Sequence, residues 1–145
     1  MKIIVIDGQG GKMGSLLIEN LKNAPLFQKN NGRQTLPVLL AIGTNSIATA
    51  SMLRAGADAG ATGENPVLVN CKDADIIAGP VGILAADSLL GEITPAMAVA
   101  IGQSAAQKVL LPVNKCRHHV VGVQELPLLK QVTLAVEFIE QYCKN

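Results

Sequence analysis

A β-branched run, Lys2-Ile3-Ile4-Val5-Ile6-Asp7, ends in a glycine-dense stretch, Gly8-Gln9-Gly10-Gly11-Lys12-Met13-Gly14. Apolar residues then recur at helical spacing, at Met13, Leu16, Leu17, Leu21 and Ala24. The order is strand, glycine turn, helix. Glycines let backbone N–H groups approach a ligand, and the start of a helix attracts negative charge. The stretch is a ready anion cradle, and it points to a sheet whose strands are followed by helices.

The remaining chain repeats that order. The first helix is expected over Lys12–Asn23, with Glu19, Asn20 and Lys22 on its wet face and Pro25 stopping it. Residues 28–34 are polar and read as a loop, and a second strand is expected over 35–42, with Pro37 near its start. Gly43-Thr44-Asn45-Ser46 reads as a loop carrying an N-cap, followed by a helix over 47–54 that Gly56 ends. Small residues over 57–65, with Thr62, Glu64 and Asn65 clustered, read as a contact loop before a short third strand at 66–70. A fourth strand is expected at 75–78, closed by Gly79-Pro80-Val81-Gly82, then a helix over 83–90 that Gly91 breaks. Thr94 and Pro95 are placed as N-cap and first residue of a helix over 95–101. A fifth strand at 109–113, a sixth at 118–123 and a helix over 127–142 complete the chain. In the last helix Leu128, Val132, Ala135, Val136, Ile139 and Cys143 share one face.

Short aliphatic strands alternating with helices predict an α/β fold, a Rossmann-like doubly wound and mostly parallel sheet of about five or six strands. A chain of 145 residues suits one domain, 1–145. Hydrophobic residues make up 49% and aromatics only 2%, which fits an aliphatic sheet buried on both faces. With 16% of residues charged, polar surface is scarce, and a homo-oligomer, most simply a dimer, is expected to bury an apolar face. The net charge of +1, with Lys and Arg scattered and without aromatic partners, argues against nucleic acid. Cys71, Cys116 and Cys143 show no metal-binding spacing and read as reduced thiols of a cytoplasmic protein. No apolar run reaches the length of about 18 residues that a membrane span requires.

Ligands of such sheets bind beyond the carboxyl ends of the strands. The polar clusters expected there are 7–14, 43–46, 79–82 and Asn114-Lys115. The candidate cofactor-binding residues are therefore Gly8, Gln9, Gly10, Gly11, Lys12, Met13, Gly14, Gly43, Thr44, Asn45, Gly79 and Pro80. Further contacts are expected from Asp7, Glu64, Asn65, Asn114 and Lys115. The P-loop pattern G-x-x-x-x-G-K-[ST] fails, because Lys12 precedes the last glycine, and G-x-G-x-x-G fails at Met13. What fits is G-x-x-G-x-x-G, through Gly8, Gly11 and Gly14.

GQGGKMG, with the KIIVID strand before it, resembles the nucleotide loop of dihydrodipicolinate reductases and related NAD(P)-dependent enzymes over about the first 25 residues. That resemblance implies that Gly8 permits the turn, Gly11 admits the pyrophosphate, Gly14 lets the helix pack on the strand, and Lys12 can meet a 2′-phosphate. NADP or NAD is the cofactor it implies. Over nearly the full length, GTNSIATASMLRAGADAGATGENP, ADIIAGPVGILAADSLLGEITPAMAVAIG and KVLLPVNKC with HHVVGV resemble a small bacterial family of unknown function. That resemblance implies a stand-alone Rossmann-like domain and brings no activity with it.

Two features depart from a dinucleotide site. The second strand ends Ala41-Ile42-Gly43-Thr44-Asn45, with no acid to hold the ribose 2′-hydroxyl. Asp7 puts a carboxylate at the mouth of the cradle, where it either caps the loop amides or meets a ribose or Mg²⁺. Glu64 and Glu92 each read as a contact for ribose hydroxyls, a base, or a cap of a turn or helix. Capping is favoured for Glu92, near the helix beginning at Pro95, and Glu64 serves equally as a cap or a ligand contact. His118 and His119, adjacent on one strand, cannot both face one site, and with Cys116 they read as ordinary strand-entry residues. Two function classes follow. One is a nucleotide-binding module or sensor; the other is a small enzyme acting on a phosphorylated metabolite, with Asp7, Glu64 or Lys115 in the chemistry and its site completed at a dimer interface.

Overall fold

The computed structural model describes residues 1–28, 35–113 and 117–144. Five strands, β1 (Lys2–Asp7), β2 (Val38–Gly43), β3 (Ala59–Thr62), β4 (Ile76–Pro80) and β5 (Gln107–Leu111), form one sheet in the order β3-β2-β1-β4-β5. Every neighbouring pair is parallel. The chain winds outward from β1 to β3, then crosses to β4 on the other side of β1. The order therefore reverses between β1 and β4, and the crevice beyond their carboxyl ends is where such sheets bind ligands.

The helices are α1 (Lys12–Asn23), α2 (Ser46–Arg54), α3 (Glu64–Asn70), α4 (Pro95–Gln103) and α5 (Leu128–Tyr142). Alternate strand residues feed two cores, as the pleat requires. Ile3, Val5, Leu39, Ala41, Ile76, Ala78, Val109 and Leu111 pack with Leu17, Ile18 and Leu21 of α1, Met52 of α2, and Val132 and Ile139 of α5. Ile4, Ile6, Ile42 and Ile77 pack on the opposite face with Val67 of α3 and Met97 and Ile101 of α4. The expectation of an aliphatic α/β sheet of about five or six strands covered on both faces holds, with five strands among the described residues.

Several elements lie elsewhere than the sequence suggests. The third strand is not at 66–70: those residues belong to α3, and β3 is the small-residue run Ala59–Thr62 before it. Pro66 sits in the first turn of α3, where its missing N–H costs nothing. Residues 83–90 do not form an α-helix. A short 3₁₀ turn, Val81–Leu84, gives way to a loop in which Asp87, Leu89 and Leu90 all take left-handed φ angles, near +60°, that no α-helix contains. The expected sixth strand at 118–123 does not form: Arg117 and Gly122 have positive φ, and His118 to Val123 lie exposed and outside any strand, with a turn at 121–122. Strand β2 starts after Pro37, and β5 begins two residues before its expected position. A 3₁₀ turn at Pro25–Phe27 was not expected. Most of the polar loop at 28–34 lies outside the described residues.

Candidate functional site

The caps expected within 43–46 and at Thr94 are explicit in hydrogen bonds. Asn45 Oδ1 accepts the Ala48 amide at 2.9 Å and caps α2, and Thr94 Oγ1 accepts the Met97 amide at 3.2 Å and caps α4. Gly11 precedes α1 with φ +72°, and Gly56 follows α2 with φ +111°, both in the left-handed region that glycine takes without strain. The carboxyl ends of β1, β2 and β4 thus converge as expected, carrying 7–14, 43–46 and 79–82 to one edge of the sheet.

The glycine turn is closed from below by Asp7. Its carboxylate is 3% exposed and accepts the Gly8 amide at 2.8 Å and the Gly14 amide at 2.7 Å. Burial raises its pKa above the ordinary 3.8, the two amides oppose this, and the charge of Glu92 adds to it. Gly11 donates to Gly8 O at 2.9 Å, which folds Gly8 to Gly11 into a tight turn in which Gln9 carries φ +50°.

From above, the turn is held by Glu92, and this corrects its assignment as a cap of α4. Its Oε2 accepts the Gln9 amide at 2.8 Å and the Thr44 hydroxyl at 2.7 Å, and its Oε1 accepts Asn45 Nδ2 at 3.0 Å. Asn45 Nδ2 also donates to Gln9 O at 2.9 Å. One carboxylate therefore joins three loops, those after β1, β2 and β4. Burial pushes the Glu92 pKa up, but the bonds from Thr44, Gln9 and Asn45 outweigh it and hold the group below the ordinary 4.5.

Three backbone amides in the turn, those of Gly10, Lys12 and Met13, have no hydrogen-bond acceptor among the described residues. Those of Lys12 and Met13 belong to the open first turn of a 12-residue helix, and Gly10 precedes its N-cap, Gly11. A cavity of about 230 Å³ lies over them, lined among the described residues by Asp7 to Met13, Val113 and Leu128. Lys12 is exposed beside it.

The glycines divide into distinct roles. A Cβ on Gly11 would meet the Ala48 backbone at 2.8 Å, and one on Gly14 would lie 2.5 Å from Met52 Sδ and 2.9 Å from Asp7 Cβ. These two seat α1 against α2 and the end of β1. A Cβ on Gly10 would meet nothing within 4 Å, so this is the glycine open to a ligand.

Glu64 stands apart from the turn: at the start of α3, its Oε2 accepts the Thr94 hydroxyl at 2.5 Å. Asn65 follows it, exposed. Gly79 and Pro80 are buried at the end of β4, where a Cβ on Gly79 would meet Ile6 O at 2.5 Å. Gly43, also buried, ends β2 beside Asp7 in the sheet register. Asn114, Lys115 and Cys116 lie outside the described residues. Among those described, no three His, Cys, Asp or Glu side chains gather as a metal group, and no helix is long and apolar enough to cross a membrane. Sequence reasoning favoured Glu92 as a helix cap, and its bonds run instead to Gln9, Thr44 and Asn45.

No curated protein and no solved structure matches the chain. Residues 2–144 match the family described as Domain of unknown function (DUF3842), and the chain belongs to that family.

Proposed function

We propose that this protein is a binding module for a phosphorylated nucleotide, NADP or NAD, held over the turn between β1 and α1. One observation carries the reading: at the start of α1 the amides of Gly10, Lys12 and Met13 have no acceptor among the described residues, while those of Gly8, Gln9, Gly11 and Gly14 are engaged internally. Three N–H groups, a helix start and the Lys12 ammonium suit a phosphate. The cavity of about 230 Å³ has room for a phosphate group, and the nucleoside extends from it over the loops after β2 and β4. A binding role is favoured over catalysis because Asp7 serves the loop amides and Glu64 serves Thr94. A place in the cytoplasm is proposed with it, from the reading of Cys71 as a reduced thiol. A homodimer is proposed over α3 and α4, where an apolar cavity of about 620 Å³ is lined by Leu68, Val99 and Ala100; light scattering at high concentration tests it.

The test of binding is a thermal-shift panel with NAD, NADP, coenzyme A, S-adenosylmethionine and ATP with Mg²⁺, repeated on Gly10→Asp. A nucleotide that binds the folded state raises the melting temperature by mass action. Gly10→Asp has room for its side chain, so it is expected to fold and to lose the shift. No shift with any nucleotide, or an unchanged shift in Gly10→Asp, would overturn the reading.

A further inference from the structure

We propose that Glu92 recognises the ribose diol of the bound nucleotide and selects a free 2′-hydroxyl over a 2′-phosphate. This rests on the nucleotide reading above and decides between its two cofactors. Open parallel sheets that bind dinucleotides hold an acid beyond the carboxyl end of the second strand, where it accepts the ribose hydroxyls. Strand β2 ends here in Gly43-Thr44-Asn45 and has no such acid. The structure supplies one from 48 residues further along the chain, with Glu92 bonded to Thr44 Oγ1 and Asn45 Nδ2 at that strand end.

The same carboxylate accepts the Gln9 amide at 2.8 Å, one residue before Gly10, whose amide has no acceptor among the described residues. An acceptor for hydroxyls and a set of donors for phosphates thus stand side by side, in the order that a nucleoside phosphate presents them. All three partners of Glu92 are neutral. The ion pairs among the described residues are Lys2 with Asp73 and Lys22 with Asp58, and none of these residues pairs a cation with Glu92. An ionised carboxylate only accepts hydrogen bonds, and Oε1 receives one, from Asn45, with capacity left for a hydroxyl. A 2′-phosphate brought to the same place meets a like charge and loses that bond.

The position of Glu92 is built at a conformational cost, and that cost falls on the two segments it joins. Gln9 has φ +50° on one side; Asp87, Leu89 and Leu90 have φ of +63°, +55° and +58° on the other. Non-glycine residues in this region persist where the surrounding structure enforces them, and they cluster at binding sites. Gly8 completes the fit, since a Cβ there would lie 2.6 Å from Thr44 Oγ1 and closer still to Glu92 Oε2.

The experiment titrates the full chain with NAD, NADP and inorganic pyrophosphate by calorimetry, and repeats this on Glu92→Gln and Glu92→Ala. Wild-type protein is expected to bind NAD at least about tenfold tighter than NADP, the worth of one charge-assisted hydrogen bond. Both variants are expected to lose about that factor for NAD and to close the gap, while keeping pyrophosphate. The assignment falls if wild type binds NADP as tightly as NAD, a result that needs no variant to fold. It falls also if folded variants keep the wild-type ratio. Pyrophosphate bound without any NAD preference removes the role of Glu92 and leaves the phosphate cradle standing; no binding of all three removes both.

Discussion

The Asp7 carboxylate accepts the Gly14 amide at 2.7 Å, tying the last residue of β1 to the third residue of α1 across the whole glycine turn. It takes the Gly8 amide as well, at 2.8 Å. Asparagine at this position offers one acceptor oxygen in place of two. Asp7→Asn therefore leaves a buried N–H without a partner, partly offset by the removal of a buried charge, and is expected to cost about 1–2 kcal/mol. Urea unfolding measures it; an unchanged midpoint would mean that the Asp7 bonds do not hold the turn.

Asp7 and Glu92 should give stability opposite dependences on pH. Burial holds Asp7 above its ordinary 3.8, so its contribution is fully present below that value and is lost as pH rises through the folded value. Glu92, with burial outweighed by its three donors, lies below its ordinary 4.5; its contribution is present above 4.5 and is lost as pH falls through the folded value. The stability gap between wild type and Asp7→Asn should narrow as pH rises from the acid side. The gap to Glu92→Gln should narrow as pH falls. Melting temperatures across the acid range decide it, and slopes of the same sign for both variants contradict the assignment.

Gly8 and Glu92 should be energetically coupled. An alanine Cβ at position 8 has to displace the Glu92 carboxylate, the far end of a flexible side chain, and crowds Thr44 Oγ1. Gly8→Ala is expected to cost about 1–2 kcal/mol in wild type and distinctly less in a Glu92→Ala background. A double-mutant cycle with no coupling would show that the collision with Glu92 is not what makes glycine necessary.

Sequence reasoning located the glycine turn, an N-cap within 43–46 and the cap at Thr94 because each is a local event, written in neighbouring residues. It missed β3 because Ala59–Thr62 lacks the bulky β-branched residues that mark a strand; pairing with β2 makes it one. It read 83–90 as a helix broken by Gly91, a run that includes the apolar Ile83, Leu89 and Leu90. Their burial is in fact split, with Leu89 in the core and Leu90 in solvent, on a backbone no helix adopts. Glu92 was misread for a related reason. Its neighbours Thr94 and Pro95 advertise a helix start, whereas its actual partners, Gln9, Thr44 and Asn45, are distant in sequence and meet it only through the crossover of the sheet.

Adjacent glycines in the turn should respond very differently to alanine. Gly11 has φ +72°, and a Cβ there would meet the Ala48 backbone at 2.8 Å, which cannot swing aside as a side chain can. Gly11→Ala is expected to cost about 2–4 kcal/mol. Gly10 has open space around its Cβ position, and Gly10→Ala is expected to stay within about 0.5 kcal/mol of wild type. Chemical denaturation of the pair checks this; similar losses at both positions would show that the turn is not seated on α2 through Gly11.

Leu90 offers a route to greater stability. It is 96% exposed with φ +58°, so its side chain gains nothing from burial while its backbone is in a region that disfavours a branched residue. The loop is kept there by its neighbours: Leu89 is buried, Asp87 donates to Ile93 O at 2.7 Å, and the Ser88 hydroxyl bonds Gly82 O. Asparagine tolerates the left-handed region, and Leu90→Asn is expected to stabilise by about 0.5–1 kcal/mol, a rise of a few degrees in melting temperature. The same change at Leu89, φ +55° and 2% exposed, should instead cost about 2 kcal/mol or more through lost burial. Opposite signs at these neighbouring positions would show that packing of Leu89 holds the strained loop in place, and with it the carboxylate of Glu92. Destabilisation by Leu90→Asn would mean that the left-handed backbone there carries no such cost.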